Sequence, residues 1–125
     1  MDPMIASSQL GAFLPSRDFD LSRRFYEALG FSNRATGDEI ALFETGAGTI
    51  IVTRTHDPAW DGAFMLAILV DDLAAWWQRI VQADLPGRFG TPAPTPPTRQ
   101  PWGLEVAYVV DPGGVLIHFQ QRPAG

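Results

Sequence analysis

The sequence contains no cysteine. Disulfide bridges, thiolate metal sites and cysteine nucleophiles are therefore all excluded. A metal site would have to be built from carboxylates and histidines, and the chain has only two histidines, His56 and His118. His56 lies in the segment THDPAW, which we interpret as an exposed linker. His118 is therefore the stronger candidate for a role in a site.

Lysine is also absent, and the nine basic residues are arginines scattered from Arg17 to Arg122. The formal net charge is −5. Nucleic-acid binding usually requires a clustered basic surface, so we expect no nucleic-acid partner. The excess of acidic side chains favours a cationic small-molecule ligand.

The chain has no apolar run long enough to span a bilayer, and no basic segment opens its first residues. We therefore expect a cytoplasmic protein that has no membrane partner. With 125 residues, of which 46% are hydrophobic, the chain can form one domain with its own core.

A strand–helix–strand pattern occupies the first half. The stretch LGAFLP predicts a strand, and FDLSRRFYEALG predicts a helix that begins at an acidic cap, Asp18 or Asp20, and stops at Gly30. Turn signals then separate three short strands at about 31–36, 39–44 and 49–54. The order is β-α-β-β-β.

The pattern starts again in the second half. A strand within 63–72 leads into a helix over 73–84, and two strands flank the motif DPGG. An offset of 54 residues superposes the halves and brings Asp18 onto Asp72, which indicates an internal duplication. We assign module one to about 8–54, a linker to 55–62 and module two to about 63–121.

The stretch PGRFGTPAPTPPTRQPW is the low-complexity segment of the chain. Because proline cannot donate a hydrogen bond to a sheet, we predict that most of this stretch is loop, after a short strand at 87–91. A loop of this length is either a lid over a site or a plain surface connection, and the sequence leaves both open.

The motif DPGG predicts the register of the last hairpin. If Pro112 and Gly113 form the turn centre, His118 faces Ala107 and Gln120 faces Glu105. On this register Glu105, His118 and Gln120 share the face of the sheet that is turned away from the helices. These polar groups are our first candidates for ligand binding.

The same alternation assigns the remaining strand residues. Tyr108, Ile117 and Phe119 fall on the helix side of the hairpin, while Met65 and Phe13 fall on the opposite side of their own strands. The resulting face is mostly apolar with a few polar groups. That composition suits a small organic ligand.

Three stretches resemble a known family: FLPSRDFDLSRRFYEALGF, AILVDDLAAWW and QPWGLEVAYVVDPGGVLIHFQQ. They are similar to the vicinal oxygen chelate superfamily, also called the glyoxalase/bleomycin resistance/dioxygenase superfamily. The resemblance implies an α+β fold of two paired βαβββ modules, which form a curved sheet around a cleft and carry helices on the outer face. This agrees with the duplication.

The metal enzymes of that superfamily imply ligand positions that fall here at Gly11, Met65, His118 and within 49–54. Glycine has no ligating side chain, methionine is a soft thioether, and TIIVTR holds neither histidine nor carboxylate. With Glu105 nearby, at most two ligands could meet, whereas a catalytic zinc needs three. We therefore predict no metal and no cofactor.

The C-terminal stretch is most similar to the metal-free bleomycin resistance type. That similarity implies a homodimer with crevices at the subunit interface and aromatic side chains that stack on the ligand. Trp102 is the leading stacking candidate, with Phe43 and Trp60 placed by approximate position. We predict a metal-independent protein that sequesters a bleomycin-like cationic antibiotic.

Several alternatives remain open at this point. A metal-dependent lyase, isomerase or dioxygenase of the superfamily is the second hypothesis, and a structural or regulatory dimer without ligand is the third. His118 either contacts ligand or is satisfied by Glu105 or backbone. Trp102 either stacks on ligand or seals a dimer interface, and Glu105 either holds a cation or acts as a base.

Overall fold

The computed structural model describes residues 1–123 and contains eight strands, four α-helices and one 3₁₀ turn. In chain order the elements are α1 (Pro3–Ala6), β1 (Leu10–Pro15), α2 (Phe19–Ala28), β2 (Ser32–Thr36), β3 (Ile40–Glu44), β4 (Gly48–Thr53), the 3₁₀ turn (Pro58–Trp60), β5 (Met65–Val70), α3 (Leu73–Gln82), α4 (Leu85–Phe89), β6 (Thr95–Arg99), β7 (Glu105–Val110) and β8 (Leu116–Gln121).

The strands form two four-stranded sheets of the same topology. The first has the order β1-β4-β3-β2 and the second β5-β8-β7-β6. In each sheet the first strand of the module runs parallel to the last, and the other pairs are antiparallel. The α+β class is confirmed, and the repeated topology agrees with the internal duplication.

Acidic caps start the two long helices at equivalent positions. The Asp18 carboxylate accepts a hydrogen bond from the Leu21 amide at 3.1 Å, and Asp72 accepts one from the Ala75 amide at 3.0 Å. Each bond satisfies an amide that the first turn of a helix leaves without a partner. Gly30, with φ +98°, follows the end of α2, as its position in the sequence predicts.

The prediction for the proline-rich stretch was wrong in two places. No strand forms at 87–91: residues 87–89 instead complete α4, which buries Leu85 and Phe89 four positions apart. Thr95–Arg99 forms β6 although it contains two prolines. Because β6 is an edge strand with an irregular register between Thr95 and Thr98, a missing amide costs little there.

One hydrophobic core joins the two modules. Ring centroids lie 5.5 Å apart for Phe25 and Phe89, 5.6 Å for Phe31 and Trp76, and 4.9 Å for Trp76 and Phe119. The helix-facing sides of both sheets contribute to this cluster. The opposite faces of the sheets are therefore left as the surfaces on which a site could form.

Among residues 1–123, no helix combines the length and the apolar character that crossing a bilayer requires.

Candidate functional site

The register of the β7–β8 hairpin differs by one residue from the prediction. The Asp111 amide bonds to the Val115 carbonyl at 2.9 Å, so three residues rather than two form the loop. Gly114 takes φ +86°, which closes this longer loop. Tyr108 consequently lies opposite His118.

The shift turns the side chains of β7 to the other face and leaves those of β8 where they were expected. Ala107 and Val109 are buried in the core, whereas Tyr108 joins His118 on the face away from the helices. Ile117 and Phe119 are fully buried, as predicted.

Glu105 does not join His118 and Gln120, so that part of the prediction was wrong. Gln120 lies opposite Val106, and Glu105 alternates with Val106 onto the other face. Glu105 is exposed and lies opposite Arg99 on β6. A one-residue change of register therefore replaces a carboxylate by the Tyr108 phenol on this face.

Strand β5 completes the face. Met65 lies opposite Leu116, Ala67 opposite His118 and Leu69 opposite Gln120. Met65 is 67% exposed and Leu69 47% exposed. We call this surface the second open face; its residues are Met65, Ala67, Leu69, Val106, Tyr108, Val110, Leu116, His118 and Gln120.

His118 has an unusual environment on the second open face. Its imidazole meets the Tyr108 ring edge to face, with centroids 4.7 Å apart. Its Nε2 atom is buried and has no hydrogen-bond partner among residues 1–123. Burial lowers the pKa of His118 below its usual 6.5, because a protonated ring would lose hydration. The imidazole is therefore mainly neutral at pH 7.

The first sheet presents a similar apolar surface, which we call the first open face. It comprises Phe13, which is 65% exposed, Ile51 opposite it on β4, Leu42 on β3, and Ile40, which is 40% exposed. Phe13 thus lies on the face that the sequence predicts.

Phe43 does not lie on the first open face, although it was a stacking candidate. It is 0% exposed and packs against Tyr26 with ring centroids 5.7 Å apart. Its neighbour Leu42 takes the outward position instead. Phe43 cannot stack on a ligand without unfolding the core, so its assignment was wrong.

The two tryptophan candidates are both accessible. Trp102 is 56% exposed at the tip of the β6–β7 hairpin, beside Gly103, whose φ is +93°. Trp60 is 37% exposed in the 3₁₀ turn, and its ring packs against that of Phe64 with centroids 5.8 Å apart. Trp102 makes no comparable aromatic contact within the described residues, which leaves its ring available to a ligand or a partner chain.

A groove of about 1140 Å³ lies at the junction of the modules. Its walls are the start of β1, the β3–β4 turn, strand β5 and the Trp76 and Arg79 side chains of α3. None of the residues predicted to bind ligand lines this groove. The groove does include Ala67 and Leu69, so it adjoins the second open face along β5.

The residues at the superfamily's metal positions do not fit a catalytic metal ion. Gly11 has no side-chain donor, Met65 offers a thioether, and β4 provides no histidine or carboxylate. No group of three or more His, Cys, Asp or Glu side chains suited to a metal occurs in the part of the chain that the structure describes. His118 alone cannot hold a catalytic ion.

A buried polar pair between the modules was not anticipated. The Tyr26 hydroxyl of α2 donates to the Asp111 carboxylate at 2.6 Å. Asp111 also accepts from the Gly113 and Val115 amides at 2.8 and 2.9 Å. Burial raises the pKa of Asp111, and burial together with the Asp111 charge raises the pKa of Tyr26 well above 10.0. The aspartate of DPGG was the available signal.

Comparison with known proteins adds independent information. A family model described as the Glyoxalase/Bleomycin resistance protein/Dioxygenase superfamily matches residues 9–119. A bleomycin resistance protein of Klebsiella pneumoniae is 31% identical over 118 residues, which cover 87% of this chain and 88% of that protein.

Two solved structures are also similar. A bleomycin-binding protein crystallised in complex with bleomycin is 29% identical, with a TM-score of 0.78 over 94% of this chain and all of that chain. A bleomycin resistance determinant encoded on transposon Tn5 is 26% identical, with a TM-score of 0.76 and the same coverage.

Proposed function

The chain belongs to the glyoxalase/bleomycin resistance protein/dioxygenase superfamily, and from this premise we propose that it is a metal-independent binding protein that sequesters a bleomycin-like cationic antibiotic. Relatives of this type support a binding role, since one is crystallised with bleomycin. The observation that carries the proposal is the uncovered second open face.

That face has the composition of a ligand site. Large apolar side chains such as Met65 and Leu69 are exposed on a sheet, although they are of the kind that a folded chain usually buries. Three polar groups stand among them: the Tyr108 phenol, the His118 imidazole and the Gln120 amide. An apolar wall with a few hydrogen-bonding groups is typical of small-molecule sites.

The net charge of the chain favours a cationic ligand, although the second open face offers no acidic side chain to form an ion pair with it. The chain carries a net charge of −5, so its surface attracts cations over long distances. The second open face itself contains no Asp, Glu or Arg side chain. We therefore expect stacking and apolar contact to provide most of the affinity, and net charge to increase the association rate.

A homodimer completes the site in this proposal. One open face cannot enclose a ligand of antibiotic size, whereas binding sites cover most of a ligand's surface. Two copies related by a two-fold axis can place the first open face of one copy against the second open face of the other. Exposed Phe13 and Met65 would then face a shared crevice, and Trp102 would stack on the ligand.

The test is isothermal titration of EDTA-treated protein with metal-free bleomycin. Met65→Arg places a cation on the second open face, and we expect it to weaken binding at least about tenfold by repulsion of the cationic ligand. The matched control is Val81→Arg, because Val81 is 57% exposed on α3. Both changes lie at exposed positions, so the melting temperature should stay close to that of the wild type.

Three results would contradict the proposal. Wild-type protein that binds no bleomycin at millimolar concentration would remove the binding role. Stoichiometric metal held by His118 in purified protein would overturn metal independence. A sedimentation measurement that gives a monomer, both with and without ligand, would overturn the shared crevice.

A further inference from the structure

The edge-to-face contact between Tyr108 and His118 joins neighbouring strands on the second open face. The two residues lie directly opposite each other in the antiparallel register, with rings inclined at 69°. Cross-strand aromatic pairs of this kind hold each other's orientation. In the ligand-free chain the Tyr108 ring therefore sets the position of the imidazole.

The unpartnered Nε2 atom of His118 is costly in the ligand-free chain. A buried polar atom without a hydrogen bond destabilises a protein, because the atom has lost its water and gained no partner. Such atoms are rare in folded proteins, and each one needs an explanation. A partner that comes from outside the described chain would remove the cost, and the open face is where such a partner would arrive.

The neighbours of His118 identify the chemistry of that partner. Ala67 adjoins it on β5, Tyr108 on β7, and Leu116 and Gln120 lie on the same face of β8. None of these groups carries a charge at neutral pH, and burial is the one cause of the lowered His118 pKa. In the tautomer whose proton is on Nδ1, the neutral imidazole offers the lone pair of Nε2, which accepts a hydrogen bond from an N–H donor.

We propose that Tyr108 and His118 are the specificity-determining pair of the second open face: when the ligand binds, the Tyr108 ring turns aside and Nε2 of His118 accepts a hydrogen bond from an N–H group of the ligand. This inference rests on the proposed function and adds the ligand group that is recognised. It selects ligands with an amide or protonated amine N–H beside an aromatic ring system.

The first experiment uses the free protein. Nitrogen-15 NMR titration of the two histidines should give His118 a pKa below 6.5. Tyr108→Ala should move that pKa toward its usual value, because the imidazole gains water, whereas Tyr108→Phe should leave it near the wild-type value. His56→Gln removes the signals of the other histidine, so the signals that remain belong to His118. A His118 pKa at or above 6.5, or no response to Tyr108→Ala, would overturn the pairing.

The second experiment adds metal-free bleomycin. His118→Phe keeps a flat ring but has no lone pair, so we expect about a tenfold loss of affinity. His118→Gln retains an amide acceptor and should recover part of the loss. Wild-type affinity should fall as the pH is lowered through the His118 pKa, since the protonated ring repels a cation, and both variants should lose that dependence.

The outcomes separate this inference from the proposed function. If wild-type protein binds bleomycin and His118→Phe binds it equally well, the pair has no part in recognition while the binding role stands. If wild-type protein does not bind bleomycin, the proposed function fails and the recognition step fails with it. In that case the titration of the free protein still decides whether Tyr108 controls His118.

Discussion

Removal of one buried hydroxyl should measure how strongly the two modules are joined. Tyr26→Phe deletes the oxygen that donates to Asp111 at 2.6 Å and leaves the ring in place. The ring remains packed against Phe25 and Phe43, so the change creates almost no cavity. The effect on stability therefore reports the hydrogen bond.

The expected loss of unfolding free energy follows from the burial and the hydrogen bonds of Asp111. Asp111 is 2% exposed, and its carboxylate accepts three hydrogen bonds, one from Tyr26 and two from backbone amides. A hydrogen bond to a charged, buried group contributes about 1.5–3 kcal/mol. For a domain of this size that loss lowers the melting temperature by roughly 5–12 °C. Two backbone donors remain, so the fold should persist.

The dependence on pH provides a second, independent readout. The pKa of Asp111 is raised in the folded state, so the folded chain binds a proton more tightly than the unfolded chain. Stability is then greatest below the usual Asp value of 3.8 and falls as the pH rises through the folded pKa. Asp111→Asn has no carboxyl group to titrate at this position, so its stability should not show this decline. The difference in unfolding free energy between wild type and Asp111→Asn should therefore shrink from pH 4 to pH 7.

Stability should also fall with rising pH in the alkaline range. The raised pKa of Tyr26 means that the unfolded chain loses this proton first, so stability falls as the pH rises above about 10. Tyr26→Phe should remove that decline.

Urea unfolding, followed by circular dichroism between pH 4 and pH 11, gives all of these quantities. A Tyr26→Phe variant within 0.5 kcal/mol of wild type, with unchanged pH dependence, would refute the reasoning.

Two further predictions concern the proposed ligand site. Trp102→Ala should weaken bleomycin binding by roughly 1–3 kcal/mol with an unchanged melting temperature, as loss of one stacking anchor does, and unchanged affinity would assign Trp102 to packing or to a dimer contact. Glu105→Gln should leave bleomycin affinity within about threefold of wild type, because Glu105 is exposed and turned away from His118; a loss of tenfold or more in calorimetry would restore Glu105 to the site.

The helices and most strands were predictable because their signals are local. Asp18 and Asp72 each precede an apolar stripe of helical period, and a side-chain cap acts within three residues. The repeated topology follows from the repeat of these signals. The sequence resemblance predicted the superfamily, and the match over residues 9–119 confirms it.

The failures occurred where tertiary contacts override local preference. Pro96 and Pro97 argue against a strand, yet β6 forms because it pairs with β7 at the edge of the sheet. Phe43 looks like any strand aromatic, but its side of β3 faces Tyr26. Neither outcome depends on a pattern within a few residues, so neither could be inferred from one sequence.

The register error had the largest consequence for function. The residues of DPGG allow a two-residue or a three-residue loop, and the choice depends on where the left-handed glycine lies. Asp111 decides it here, because its carboxylate binds the amides of Gly113 and Val115 and so requires the longer loop. The same carboxylate accepts the Tyr26 hydroxyl. Asp111 therefore both joins the modules and determines that Tyr108, rather than Ala107, lies opposite His118.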